Sequence, residues 1–383
     1  MEKSIIQSPV LMFKDAFDFN KPGASQIQSL LNDAYINALK DKFSEYKHSL
    51  LLSQPDLYER LVIREDLLSD IDAQYFFTIP EVSHVILNHD FLGKNQITDF
   101  FIAAIDAIKS TATQTYDIDN YSHLWIPDGS FYIKYDVRER VFRTFDTYHL
   151  LDKIPVDFFS PYCLKISNSD VNEKPENKIE PYDFGEIEII CRLLDETIEP
   201  IVDIENIISQ LSTFLKAIVI NKISNGGIAT NLISGSDARY IGRTVISNVI
   251  SANPLKLIEA LIHESIHSTL YMGDVISPWL PTRDQTKQAG YNAVSPWTGN
   301  KISISSIQEA IFVWYGIYQL LKICHERDLY QASQVFDRLI FVMKGFKSLD
   351  LKRIAAANNF SVSEGLLYAV EQMQTEVLQE MNA

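Results

Sequence analysis

Three cysteines are all that the 383 residues contain, Cys163, Cys191 and Cys324, and no two lie close in sequence. An odd, widely spaced set argues against a disulfide framework and against a thiolate zinc site, so a reducing cytoplasm is the expected compartment. Positive charge is also scarce: 34 Lys and Arg stand against 50 Asp and Glu, a net charge of −16. No basic stripe runs along the chain, so a phosphate backbone has little to bind and nucleic acid is not an expected partner. Long apolar runs are missing as well. The most apolar stretch, Ala310 to Leu321, falls short of the ~18 residues needed to span a bilayer. The first twenty residues alternate charges with short apolar pieces and lack the continuous core of a signal peptide. A soluble, unexported chain without a membrane partner is the expectation. Finally, the glycines at 226, 227, 235 and 242 form neither a Gly-x-Gly-x-x-Gly nor a Walker pattern, so nucleotide binding has no support.

What is present is ordinary globular material, 46% hydrophobic and 22% charged, long enough for two domains or more. Ile27, Leu30, Leu31, Ala34, Tyr35, Ala38 and Leu39 recur at helical spacing, and a similar pattern runs from Ile97 to Ile108. Pro127-Asp128-Gly129 signals a turn, and the alternation of Phe131, Ile133, Tyr135 and Val137 reads as a strand. Polar residues 167–181 read as a linker, and residues 225–243 as loop. A helix is expected over Glu205–Ala217, before a β-branched run at Ile218–Ile223, and further helices over 254–271, 304–323, 328–346 and 362–381. The fold class predicted is α+β, predominantly helical, with a small mixed or antiparallel β region. Three consecutive blocks follow: a helical region over 1–125, a mixed α/β region over 126–225, and a helical metal-binding region over 226–383.

Chemistry concentrates in Leu261-Ile262-His263-Glu264-Ser265-Ile266-His267-Ser268, which contains His-Glu-x-x-His. Positions four apart on a helix share a face, with Cβ atoms about 5–6 Å apart, so two imidazoles can reach one ion from a single rigid element. Glu264 is turned about 100° from His263, toward a water on that ion rather than the ion itself. Asn253 suits an N-cap and Pro254 a first turn. Leu257, Ile258, Leu261, Ile262 and Ile266 give the helix apolar stripes. Burial beside them would make unpartnered imidazoles costly.

Two histidines rarely hold a divalent ion alone. Glu309 is the third ligand expected, because it lies in the apolar segment Ile307–Trp314, where a buried carboxylate is usually paired or metal-bound. Asp274, seven residues after His267, is the competitor. Zincins whose third ligand follows the helix closely have Gly three residues after the second His, and here that residue is Leu270.

By itself the His-Glu-x-x-His segment resembles zinc metallopeptidases. That resemblance implies a zincin-like metal helix, Zn²⁺ on His263, His267 and Glu309, and Glu264 as general base. A further resemblance extends over Arg239–Leu321. It rests on Tyr240-Ile241-Gly242-Arg243, the segment from Glu259 to Ser268, Ser295-Pro296-Trp297-Thr298-Gly299 and Phe312-Val313-Trp314-Tyr315-Gly316. This succession is similar to bacterial HExxH-motif peptide-modification proteins, which resemble 2-oxoglutarate-dependent peptide β-hydroxylases acting on ribosomally made peptides. Zinc peptidases share the metal helix but not the Ser-Pro-Trp and Phe-Val-Trp pieces. The family often carries His where this chain has Glu309.

The resemblance implies Fe(II) and 2-oxoglutarate as cofactors, a peptide as substrate and hydroxylation as the reaction. Two imidazoles and one carboxylate with open positions also suit Fe(II) oxygenases on coordination grounds. The distal carboxylate of 2-oxoglutarate needs a cation, for which Arg is preferred. Arg243 is the first candidate and Arg239 the second, since both closely precede the metal helix. Trp297, Trp314 and Tyr271 are candidates for the walls of a peptide cleft, although aromatic residues at helical spacing are more often core. A non-catalytic helical partner protein is a third reading. His84 with His89, His123 with Asp119, and Cys324 with His325 read as structural: their spacings suit neither a shared ion nor a hydrogen-bonded catalytic pair.

Overall fold

The computed structural model describes residues 9–88, 93–109, 123–125, 132–136, 141–143, 148–158, 177–225, 228–229, 231–290 and 293–381. The chain divides into two compact units built from interleaved segments. One comprises 1–34, 196–214 and 253–383, and the other 35–195 and 215–252. The sequence reading instead divides the chain into consecutive blocks at 125 and 225.

The second of these units combines helices with a seven-stranded mixed sheet. Its central strand, Ala217–Asn225, opens with Ala217, Ile218, Val219 and Ile220, all with no exposed surface. A continuous apolar run is what a strand covered on both faces requires. Arg243–Ser247 pairs parallel to it, with Arg243 opposite Ala217 and Ser247 opposite Asn221. Ile154–Asp157 also runs parallel, on its other side. Ile233–Ser236 adds antiparallel to Arg243–Ser247, and Tyr148–Leu150 antiparallel to Ile154–Asp157. Asn177–Glu180 and Ile228–Ala229 pair antiparallel with the far end of the central strand. A separate three-stranded antiparallel sheet joins His123–Trp125, Tyr132–Asp136 and Val141–Arg143.

The architecture is thus α+β and predominantly helical, as predicted, with two corrections. Residues 177–180 of the expected linker form a strand, because their backbone finds an open edge on the central strand. Residues 228–229 and 233–236 of the expected loop likewise form strands that join the sheet. The Pro127–Gly129 turn and residues 167–176 lie outside the described residues.

The other unit is nearly all helix: Val10–Phe17, the start of Ala24–Ser53, Glu205–Phe214, Pro254–Ile276, Arg283–Ala289, Ile304–Glu326, Ala332–Ser348, Leu351–Ala357 and Glu364–Met381. A short β pair, Ala293–Val294 with Lys301–Ile302, precedes the helix Ile304–Glu326. Phe13 meets Trp279 and Phe312 edge-on, both with ring centroids at 5.3 Å, and ties the first helix into this core. Among the described residues no helix is long and apolar enough to cross a membrane.

Candidate metal centre

The helix Pro254–Ile276 starts where its sequence says it should. Asn253 accepts the Lys256 N–H at 2.9 Å and Pro254 occupies the first turn, a cap worth about 1 kcal/mol. Leu257, Ile258, Leu261, Ile262, Ile266 and Leu270 are completely buried. The buried amide of Gln210 donates to Ser265 Oγ at 3.2 Å and Thr269 Oγ1 at 2.9 Å, fixing the rotation of the helix about its axis. Ser265 and Ser268 return their own hydroxyls to the carbonyls of Ile262 and Glu264.

With that rotation fixed, His263 and His267 share the remaining face, their ring centroids 4.9 Å apart. The helix Ile304–Glu326 packs alongside. Gly316 lets it approach so closely that a Cβ there would lie 2.3 Å from Ile266 Cδ1. This contact carries Glu309 to the histidines, and Glu309 Oε2 lies 3.0 Å from His267 Nδ1. Burial works against a proton on His267, but the hydrogen bond and the charge of Glu309 outweigh it and raise the imidazole above its usual range. His263, without such a bond, is pushed down by burial to about 4. Glu264 is buried, with Oε1 4.0 Å from His263 Nε2.

Two imidazoles and a carboxylate are donors of a type that divalent ions take. Two ligand atoms about 2.1 Å from one ion at right angles stand about 3 Å apart, the separation found between Glu309 and His267. The same contact is also the carboxylate–imidazole bond that orients a metal-binding histidine. Among the described residues no three His, Cys, Asp or Glu groups close around a single point. The three converge as a chain of pairs, His263 beside His267 and His267 bonded to Glu309. Asp274 is otherwise engaged: its Oδ1 accepts the N–H groups of Trp279 and Leu280 at 2.9 and 3.0 Å.

Aromatic rings border the pair. Tyr271 stacks on His267 at 5.8 Å, and Trp314 meets His263 edge-on at 6.5 Å. Trp297 lies nearly parallel to Trp314 at 5.9 Å and donates its Nε1–H to the carbonyl of Val342 at 3.1 Å. Trp297 is buried, while Trp314 and Tyr271 are half-buried. Trp279, half-buried, meets Phe13 and Phe312 edge-on.

The two arginines singled out from sequence belong to the other unit. Arg243 is buried, pairs with Glu81 at 3.3 Å and lies over the ring of Tyr240 at 3.9 Å. Arg239 closes on Asp237 through Nε and Nη2. The residue that sequence reading missed is Arg338, whose guanidinium grips Glu259, one turn before His263. Of the remaining pairs, His84 bonds Asn88 and its ring lies tilted against that of Tyr240. His89 and Asp119 lie outside the described residues. Cys324 is buried, which, with the nearby charge of Glu259, pushes its thiol up to about 12 and leaves it a poor nucleophile.

Compared with known protein families and curated proteins, the chain matches no family model and no curated sequence.

Proposed function

We propose that this chain is an Fe(II)/2-oxoglutarate-dependent hydroxylase of a ribosomally made peptide, acting at a β-carbon, with iron on His263, His267 and Glu309. The observation that carries the metal site is Glu309 Oε2 at 3.0 Å from His267 Nδ1, contributed by a second helix. Two imidazoles and a carboxylate form the ligand type of non-haem Fe(II) oxygenases. Bound iron, with 2-oxoglutarate and O₂, would supply the oxidising chemistry. The protein's part is to hold and orient. The capped, buried helix fixes the histidine pair, and the close approach of the second helix brings Glu309 to it. Trp314 and Tyr271 flank the imidazoles with half-buried rings on which a peptide side chain can rest.

The hydroxylase reading also draws on the Ser-Pro-Trp and Phe-Val-Trp pieces that the peptidase resemblance lacks. Their tryptophans, Trp297 and Trp314, stack on each other beside His263. A second reading, a zinc peptidase, is favoured by Glu264 Oε1 lying 4.0 Å from His263 Nε2, where a carboxylate could take a proton from a metal-bound water.

Calorimetric titration of 2-oxoglutarate into anaerobic, Fe(II)-loaded protein, with a metal-free control, tests the choice. Metal-dependent binding is expected. Absence of binding in protein that retains zinc would transfer the site to the peptidase reading. Loss of metal in His263→Ala and His267→Ala is required by both; unchanged metal content would leave a non-catalytic partner protein.

A further inference from the structure

Arg338, on the helix Ala332–Ser348, is held in an unusual way for a structural ion pair. Its Nε lies 3.0 Å from each carboxylate oxygen of Glu259, and its Nη2 lies 2.6 Å from Oε2. The guanidinium carbon stands 5.7 Å from the ring centre of Trp314 and 4.9 Å from that of Phe341. Nη1 makes no hydrogen bond to any described residue, and the side chain remains 33% exposed. One edge of the planar fork is therefore clamped, its position is set by two aromatic neighbours, and three N–H donors remain for something else, two of them on Nη1. A guanidinium immobilised before its ligand arrives loses little further entropy on binding.

Its location matters as much as its geometry. Glu259 precedes His263 by one helical turn, about 6 Å along the axis. Trp314 neighbours both His263 and Arg338. Arg338 thus stands on the His263 side of the site, in the same unit as the histidines and Glu309. By contrast, Arg243, buried against Glu81, and Arg239, paired with Asp237, belong to the other unit.

We propose that Arg338, oriented by Glu259, is the residue that binds the distal carboxylate of 2-oxoglutarate through its Nη1 edge. This rests on the hydroxylase reading. Glu259 is a positioning residue: it fixes the fork and touches no ligand.

The test is calorimetry on the full chain, loaded with Fe(II) under anaerobic conditions, using 2-oxoglutarate and 2-oxobutyrate. The second ligand keeps the keto acid but has no distal carboxylate. Arg338→Gln is expected to weaken 2-oxoglutarate about 10- to 100-fold while leaving 2-oxobutyrate and iron content unchanged. Arg338→Lys should recover part of the loss, because a point charge replaces a fork. Arg239→Gln should behave as the parent. If Arg338→Gln fails to fold, Arg338→Lys decides by the same comparison. Parental affinity for 2-oxoglutarate in the variant, or equal losses for both ligands, overturns the assignment and leaves the hydroxylase reading standing. Failure of the unaltered protein to bind 2-oxoglutarate overturns that reading and the assignment with it.

Discussion

Trp297 fills the space over Gly345: a Cβ on that glycine would lie 2.0 Å from the indole Cδ1. The same indole stacks on Trp314, which in turn borders His263. The absence of a side chain at residue 345 therefore sets the position of a ring beside the histidine pair.

Gly345→Ala is accordingly expected to displace Trp297, since its Nε1–H is also tied to Val342 on the same helix as Gly345. Overpacking of this kind costs about 1–3 kcal/mol. Denaturant unfolding should show that loss, and tryptophan fluorescence should change in the folded state. Unchanged fluorescence would mean that the stack does not depend on the glycine.

Gly316 makes a stronger case, because it governs the crossing of the two helices that carry the proposed ligands. Gly316→Ala should force the helix Ile304–Glu326 away from Ile266 and loosen the Glu309–His267 contact, lowering metal affinity as well as stability. Ile266→Val removes the Cδ1 atom that lies 2.3 Å from the added Cβ. The double variant should recover metal binding toward that of Ile266→Val alone, a non-additivity expected of residues in contact. Simple additivity in a metal titration would refute the close-approach argument.

Glu264→Gln separates the two enzymatic readings. The amide keeps the shape of the side chain while removing its ability to accept a proton as a base. Metal content should stay at the parental level in either case. A peptidase should lose turnover almost entirely, whereas the hydroxylase should lose less. Complete loss of hydroxylation with iron still bound would count against the proposed chemistry.

Acid stability of the sheet-containing unit should depend in part on Asp72. A hydrogen bond from Lys109, and further ones from the Ser69 hydroxyl and N–H, hold its carboxyl down at about 2. The unfolded carboxyl titrates near 3.8, so between these values the unfolded chain binds more protons. The contribution of Asp72 is therefore present above pH ~4 and is lost as the pH falls toward ~2. The stability difference between the parent and Asp72→Asn should shrink across that window in urea titrations. A constant difference would mean that the hydrogen bonds do not favour the ionised form.

Much of the motif helix was legible because its determinants are local. The cap at Asn253, Pro254 in the first turn, the apolar stripes and the spacing of His263 and His267 all lie within one segment, and helical geometry converts that spacing directly into a shared face. The suspicion that Glu309 points inward had the same origin, a carboxylate within an apolar helical pattern. The β-branched run Ile218–Ile223 was legible in the same local way, and it lies within the central strand, whose first residue, Ala217, the sequence places at the end of a helix.

What tertiary structure decided is everything that depends on which segments meet. Sequence could not pair Arg338 with Glu259 across 79 positions, because an arginine on an exposed-looking helix carries no mark of its partner. Nor could it recruit residues 177–180 and 233–236 into a sheet, since their strand character comes from open hydrogen-bonding edges on other strands. The contact between Glu309 and His267 likewise required two helices to approach at Gly316 and Ile266. By itself the sequence determined which residues share a helix face. The packing of those faces, set by long-range steric fit and burial, decided which side chains stand together around His263 and His267.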